Sequence, residues 1–221
     1  MNIAHNPEGQ ARLNAHGFTG VPIVCNGDVC VPGADLQAIA DLVGFEYTAP
    51  AMMTPEQLYQ RWDMILQKAI GFVGQLRDDQ LPTTPPDRPR TLLDLCYHVF
   101  TIGRIFERAY DEDSRESWQG MMDPAPEGRR TTAGLIEYGE GTRAILKEWW
   151  ETAGQYDPLE RVLEAYWGAK TLHEVMERET WHTTQHTRQV EMFLGILGIT
   201  PNVPLVPEDL AGLPLPERIW D

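Results

Sequence analysis

Cysteine is scarce in this chain, basic charge is outnumbered, and long apolar runs are missing. Each shortage removes a class of function. Three cysteines (Cys25, Cys30, Cys96) in 221 residues are too few and too scattered for a disulfide framework. Eighteen Lys and Arg stand against 33 Asp and Glu, a formal net charge of -15 with no basic run. Nucleic acid and anionic membrane surfaces both call for basic patches, so neither is an expected partner. No apolar stretch approaches the ~18–20 residues of a membrane span. The opening residues, Met1-Asn2-Ile3-Ala4-His5-Asn6-Pro7, lack the charged-then-apolar pattern of a secretory signal, so a cytoplasmic location is expected.

What the chain does have is hydrophobic residues, 42% of the total, enough for a sizeable core. Their spacing predicts a mainly α protein in three parts. Residues 1–48 read as a small α-β-β-α appendage, 49–199 as a four-helix bundle, and 200–221 as a Pro-rich tail lying extended over the bundle. Ile219 and Trp220 are the candidate apolar anchors of that tail.

In the appendage, Asn6-Pro7-Glu8 caps a short helix that ends near Gly17. Residues 21–25 and 28–31 read as strands around Asn26-Gly27, a two-residue hairpin signal. Residues 35–43 read as an amphipathic helix stopped by Gly44. This register pairs Cys25 with Asp28 and Cys30 with Ile23. The cysteines are then diagonal neighbours ~7–8 Å apart, too far for a relaxed disulfide, and two half-buried thiols are expected.

The long helices carry recognisable signals. Thr54-Pro55-Glu56 is a cap with a first-turn Pro, followed by Leu58, Trp62, Ile65, Ala69, Phe72 and Leu76 at helical spacing to about Arg77. Four prolines between Leu81 and Arg90 exclude regular structure there. A second helix from Thr91 to about Tyr110 turns Leu95, His98, Ile102 and Ile105 inward. Residues 111–130 read as loop, and a third helix runs from Thr132 to about Thr152. Residues 161–170 read as an extended or irregular crossing segment. Thr171 with Glu174 is the capping-box pattern opening a fourth helix that ends near Gly198.

The fourth helix holds the most informative stretch. Its inward face runs Val175, Glu179, His182, His186, Val190, Phe193, Leu197, with Gln189 beside it. Apolar ends place that face against a core, and its polar middle needs a partner, because unpaired polar groups cost a few kcal/mol each to bury. A single His on an apolar stripe is usually a satisfied core residue. Two at i, i+4, facing His98 of another helix, are better satisfied together by a divalent metal. His173 lies about 180° round from His182 and is expected outside the cluster. Three imidazoles suit Zn²⁺, Ni²⁺ or Fe²⁺ and leave an open coordination position, the catalytic pattern. Asp94, one turn before His98, could orient its ring as an outer carboxylate, and Gln189 neighbours His186. Glu179 reads as a salt-bridge partner, a fourth ligand or a catalytic base.

Two resemblances rest on these residues. Residues 54–198 resemble the DinB/YfiT-like metal-binding superfamily, on Leu95-Cys96-Tyr97-His98, on His182-x-x-x-His186-x-x-Gln189, and on Tyr166-Trp167-Gly168 with Thr171-Leu172-His173. That resemblance implies a four-helix bundle, a divalent metal on the three histidines and a homodimer. It also implies, in some members, thiol-dependent transferase or isomerase activity on a small-molecule substrate. The family's usual His-Arg-Gly-Gln is His186-Thr187-Arg188-Gln189 here, with Arg displaced by one position.

Residues 8–45 are similar to the second half of a glutaredoxin or thioredoxin fold, on Gly20-Val21-Pro22, the Asn26-Gly27 turn and Gly33-Ala34-Asp35. That resemblance implies thiol-peptide binding by Val21, Pro22 and Asp35, with glutathione as candidate co-substrate. About 20 residues precede the match and a βαβ unit needs about 30, so the family's redox chemistry is expected to be absent. Together they imply a metal-dependent enzyme using a low-molecular-weight thiol. The alternatives are a hydrolase using a metal-bound hydroxide with Glu179 as base, and a non-enzymatic, stress-linked metal-binding protein.

Overall fold

Capping residues and glycines set the ends of the helices wherever the sequence marks them. The computed structural model describes residues 6–18, 23–33, 35–48, 51–85, 90–165 and 167–219. The chain is mainly helical and divides into two compact units, Met1–Ala51 and Met52–Asp221.

In the first unit, α1 (Pro7–Ala15) starts where the Asn6 side chain accepts the Gly9 N–H, and it stops before Gly17 at φ 76°. Strands β1 (Ile23–Asn26) and β2 (Val29–Pro32) pair antiparallel, and α2 (Leu36–Val43) packs on both. Asp35 caps α2 by accepting the Ala38 N–H at 2.9 Å, and Gly44 ends it at φ 72°.

The hairpin corrects the expected register. The two turn residues are Gly27-Asp28, not Asn26-Gly27, so Asn26 faces Val29 and Cys25 faces Cys30. Gly27 has φ 63° while Asp28 keeps negative φ, the pattern of a turn with glycine first. This one-residue difference brings the two cysteines directly opposite, Cα to Cα 4.1 Å, where they form a disulfide. They are not the pair of free thiols expected; Cys96, fully buried, is the free cysteine.

In the second unit, α3 (Pro55–Val73), α4 (Leu92–Glu112), α5 (Thr132–Trp149) and α6 (Leu172–Ile196) carry the core. Helix α6 packs on α3 and α4, and α5 packs on the same two helices. The expected stripes are buried: Leu58, Trp62, Ile65, Ala69 and Phe72 on α3, and Leu95, Ile102, Ile105 and Phe106 on α4. Two glycines permit close helix approach. A Cβ at Gly103 would lie 2.8 Å from Thr142, and one at Gly139 would lie 2.9 Å from Ile70 and Phe100.

Two helix ends differ from the sequence reading. Helix α3 ends at Val73 rather than near Arg77, with a separate 3₁₀ turn at Asp78–Gln80. Helix α5 ends at Trp149 and loosens into a wider π turn over Trp150–Gly154. Residues 161–170, read as extended or irregular, are extended: β3 (Val162–Ala165) and β4 (Gly168–Thr171) form a hairpin that leads straight into α6.

The tail beyond α6 is extended apart from a single turn, α7 (Pro207–Leu210), and it is bonded back to the helices. Gln75 holds the Thr200 carbonyl and the Asn202 N–H. Lys68 meets Pro204 and Asp209, and Arg61 reaches the Asp209 and Ala211 carbonyls. Trp220, expected as an anchor, lies outside the described residues. No helix among the described residues is long and apolar enough to cross a membrane.

Candidate metal centre

Helix α6 begins with the predicted capping box: Thr171 accepts the Glu174 N–H, and the Glu174 carboxylate accepts the Thr171 N–H. From that start, His182 and His186 fall on one face, toward α4. His98 comes from the middle of α4, and it is buried between the helices at 3% exposure. The ligand-type nitrogens of His98, His182 and His186 all lie within 4.8 Å of one another, close enough to hold a metal ion.

Each ring is held by its outer nitrogen. His98 Nδ1 is 2.7 Å from the Met121 carbonyl, His182 Nδ1 is 3.1 Å from Glu179 Oε2, and His186 Nδ1 is 2.7 Å from Gln189 Oε1. All three partners are acceptors. A backbone carbonyl and an amide oxygen can only accept, and an ionised carboxylate only accepts as well. His98 and His186 therefore carry their protons on Nδ1, and His182 does so whenever Glu179 is ionised, which leaves Nε2 as a bare lone pair. The Nε2 atoms of His98 and His182 approach to 3.3 Å. Two lone pairs at that separation are unfavourable, and a shared cation resolves the conflict. This set fits a divalent metal.

The electrostatics agree. Burial, then the charges that His186, His182 and Arg90 would bring, lowers the His98 pKa to about 2. Burial and His182 lower His186 to about 3. His182 is lowered well below its ordinary value by burial, with Arg178 and Arg90 adding to the effect. All three rings are neutral at pH 7, the form a metal requires.

Glu179 is completely buried. Burial raises its pKa to about 7, and Arg178 and His186 pull it back. Its Oε1 lies 3.6 Å from Arg178 Nη1. The carboxylate thus stands behind His182, on the side away from Nε2, between that ring and an arginine. The Arg178 guanidinium also lies over the Trp181 and Trp167 rings, at 4.7 and 5.2 Å.

Of the other expected site residues, Gln189 is where the helix phase put it. Asp94 is a correction: its carboxylate accepts the Thr91 hydroxyl and the Ala125 N–H, and the Met121 carbonyl holds His98 instead. The Asp94 side chain is taken up with fixing the start of α4 and the loop after it. His173 is outside the cluster as expected, yet it is half-buried and bonded to the Met53 carbonyl at 2.7 Å. Asp35 serves as the cap of α2, while Val21 and Pro22 lie outside the described residues.

The sequence reading missed a run of fully buried threonines on α6: Thr180, Thr183, Thr184 and Thr187. The hydroxyls of Thr183, Thr184 and Thr187 donate to the carbonyls one turn back, and Thr183 also accepts the Trp62 indole N–H at 2.9 Å. The Trp62–Thr183 bond ties this face of α6 to α3 and so helps fix the heights of His182 and His186, while the buried Thr180 hydroxyl has no hydrogen-bond partner among the described residues. Met121 gave no sequence signal, since it contributes a backbone atom.

No protein-family model matches the chain, and no curated protein matches it.

Proposed function

We propose that this chain is a divalent-metal protein of DinB type, its four long helices forming that superfamily's bundle, with His98, His182 and His186 as ligands for Zn²⁺, Ni²⁺ or Fe²⁺. The observation that carries the reading is the state of the three rings. Every Nδ1 is engaged by an acceptor and every Nε2 is left for one shared centre. Glu179, Gln189 and the Met121 carbonyl are the residues that orient the ligands.

We take the activity to be thiol-dependent transfer or isomerisation, with glutathione as co-substrate and the cytoplasm as location. Bound at the three histidines, the ion would act as a Lewis acid that lowers the pKa of a coordinated thiol. The chain's own contribution is positive field: Arg90 acts on all three rings, and Arg178 acts on His182 and His186. That field favours an anionic ligand such as a thiolate over a neutral one. Burial of the rings keeps bulk water from screening it. Glu179, committed to His182 and Arg178, is poorly placed to serve as a hydrolytic base, so the geometry favours the thiol reading over the hydrolase.

The test is metal analysis of the purified protein, followed by calorimetry with glutathione on the loaded form. Stoichiometric metal and saturable thiol binding are expected. Metal far below one per chain would sink the metal reading. Loaded protein that ignores millimolar glutathione would sink the thiol reading alone.

A further inference from the structure

The Gln189 amide joins two things that the metal reading leaves separate. Its Oε1 accepts from His186 Nδ1 at 2.7 Å, and its Nε2 donates to the Ile219 carbonyl at 3.0 Å. Ile219 belongs to the carboxy-terminal strap, residues 216–219. The same strap is gripped at every carbonyl by one face of α6. Gln185 Nε2 donates to the Ile219 carbonyl at 2.7 Å and to that of Arg218 at 3.3 Å. Arg188 donates to the carbonyls of Pro216, at 2.9 Å, and Glu217, at 3.3 Å, and its Nη1 also bonds Gln185 Oε1 at 2.7 Å. Three polar residues on one face of α6, Gln185, Arg188 and Gln189, thus read the strap's backbone, and one of them touches a ligand histidine.

An amide has a donor end and an acceptor end, and which end meets His186 decides its tautomer. With oxygen toward the ring, Nδ1 carries the proton and Nε2 is a lone pair. With nitrogen toward the ring, Nδ1 must accept, Nε2 takes the proton, and His186 cannot ligate. The Ile219 carbonyl can only accept, so it demands the amide nitrogen and leaves the oxygen for His186.

We propose that the strap is a positioning element for the metal centre: the Ile219 carbonyl fixes the orientation of the Gln189 amide and thereby holds His186 in its ligating tautomer. This rests on the metal reading and adds to it a requirement at the far end of the chain. Its recognition through carbonyls makes the strap's path, rather than its side chains, the feature that matters. Releasing the strap would then weaken metal binding without touching a ligand.

The test compares the full chain with one ending at Leu215, each with and without Gln189→Glu. A carboxylate accepts from His186 through either oxygen and needs no strap to orient it, as Glu179 shows at His182. Zinc affinity is read by competition with a chromophoric chelator, and the His186 tautomer by imidazole nitrogen shifts in the metal-free protein. Shortening the natural chain should weaken zinc by about tenfold or more, the usual cost of losing a ligand's orienting partner, and erase the pure Nδ1–H signature. In the Gln189→Glu background, shortening should cost nothing further. Equal losses in both backgrounds, or none in either, overturn the proposal.

Should the shortened chain not fold, the full-length double variant Gln185→Ala, Arg188→Ala frees the strap while keeping Gln189. It should lose the same signature, and retention of that signature overturns the proposal. A natural chain that binds no zinc overturns the metal reading instead, and the nitrogen shifts still decide the role of the strap.

Discussion

His98 and His182 face each other through Nε2 at 3.3 Å, one from α4 and one from α6, while the outer nitrogen of each is held by its own acceptor. A proton between them could relieve the opposed lone pairs. Burial and nearby positive charge work against that, placing His98 at about 2 and His182 well below its usual range. A cation shared with His186 satisfies all three rings at once.

Removing one ring should therefore remove the ion. His182→Ala is expected to abolish stoichiometric metal by elemental analysis. It should also lower the melting temperature of protein assayed in excess zinc by roughly 5–10 °C, since ligand at a hundredfold over its Kd contributes about 2.7 kcal/mol. His173→Ala is the control: that ring bonds the Met53 carbonyl, away from the cluster, and the variant should retain its metal.

The ring-orienting role of Glu179 separates from its charge. Glu179→Gln keeps an oxygen for His182 Nδ1, so zinc affinity should fall only modestly. Glu179→Leu leaves that N–H without an acceptor in a buried place, and affinity should fall about 10–100-fold. A chelator competition titration measures both. Equal effects from the two variants would show that the charge, not the hydrogen bond, is what matters.

The legible part of this protein was local. Capping at Thr54, Thr91 and Thr171 and the i, i+4 spacing of His182 and His186 are properties of single helices, so the chain order alone exposes them. His98 joined them because an apolar stripe gave its direction. The unread parts depend on atoms that sequence does not name. The Met121 carbonyl, which displaced Asp94 as the partner of His98, is backbone. The Trp62–Thr183 bond spans two helices. The strap has no periodicity, so nothing marked Ile219 as the partner of Gln189. In the first hairpin, Asn26-Gly27 and Gly27-Asp28 both make acceptable two-residue turns, and that ambiguity alone hid the disulfide.

The disulfide gives a clean count in a chain with three cysteines. Native unreduced protein should show no thiol reactive with an aromatic disulfide reagent. Denaturation without reductant should expose one, Cys96, which is fully buried and whose pKa burial raises. Mild reduction of the native fold should expose two, because Cys25 is on the surface of the hairpin and Cys30 is half-buried. Two thiols in the unreduced native protein would mean that the pair is open.

The metal-free protein should lose stability as pH falls from 7 toward 5. His98 and His186 have native pKa values of about 2 and 3, and His182 is lowered as well, against about 6.5 for an unfolded histidine. Below pH 6.5 the unfolded chain takes up to three protons that the native state refuses, so stability drops with pH. Glu179 acts in the opposite direction. Its native pKa of about 7 exceeds the unfolded value of 4.5, so its contribution is present below pH 4.5 and is lost as pH rises toward 7. Three groups outweigh one, leaving about two net protons and a slope on the order of 1–3 kcal/mol per pH unit between pH 6 and 5. Denaturant titrations of chelator-treated protein at pH 7, 6 and 5 measure it. His98→Leu should flatten the slope by removing one of the three rings, and a slope unchanged by that substitution would place the acid sensitivity outside the cluster.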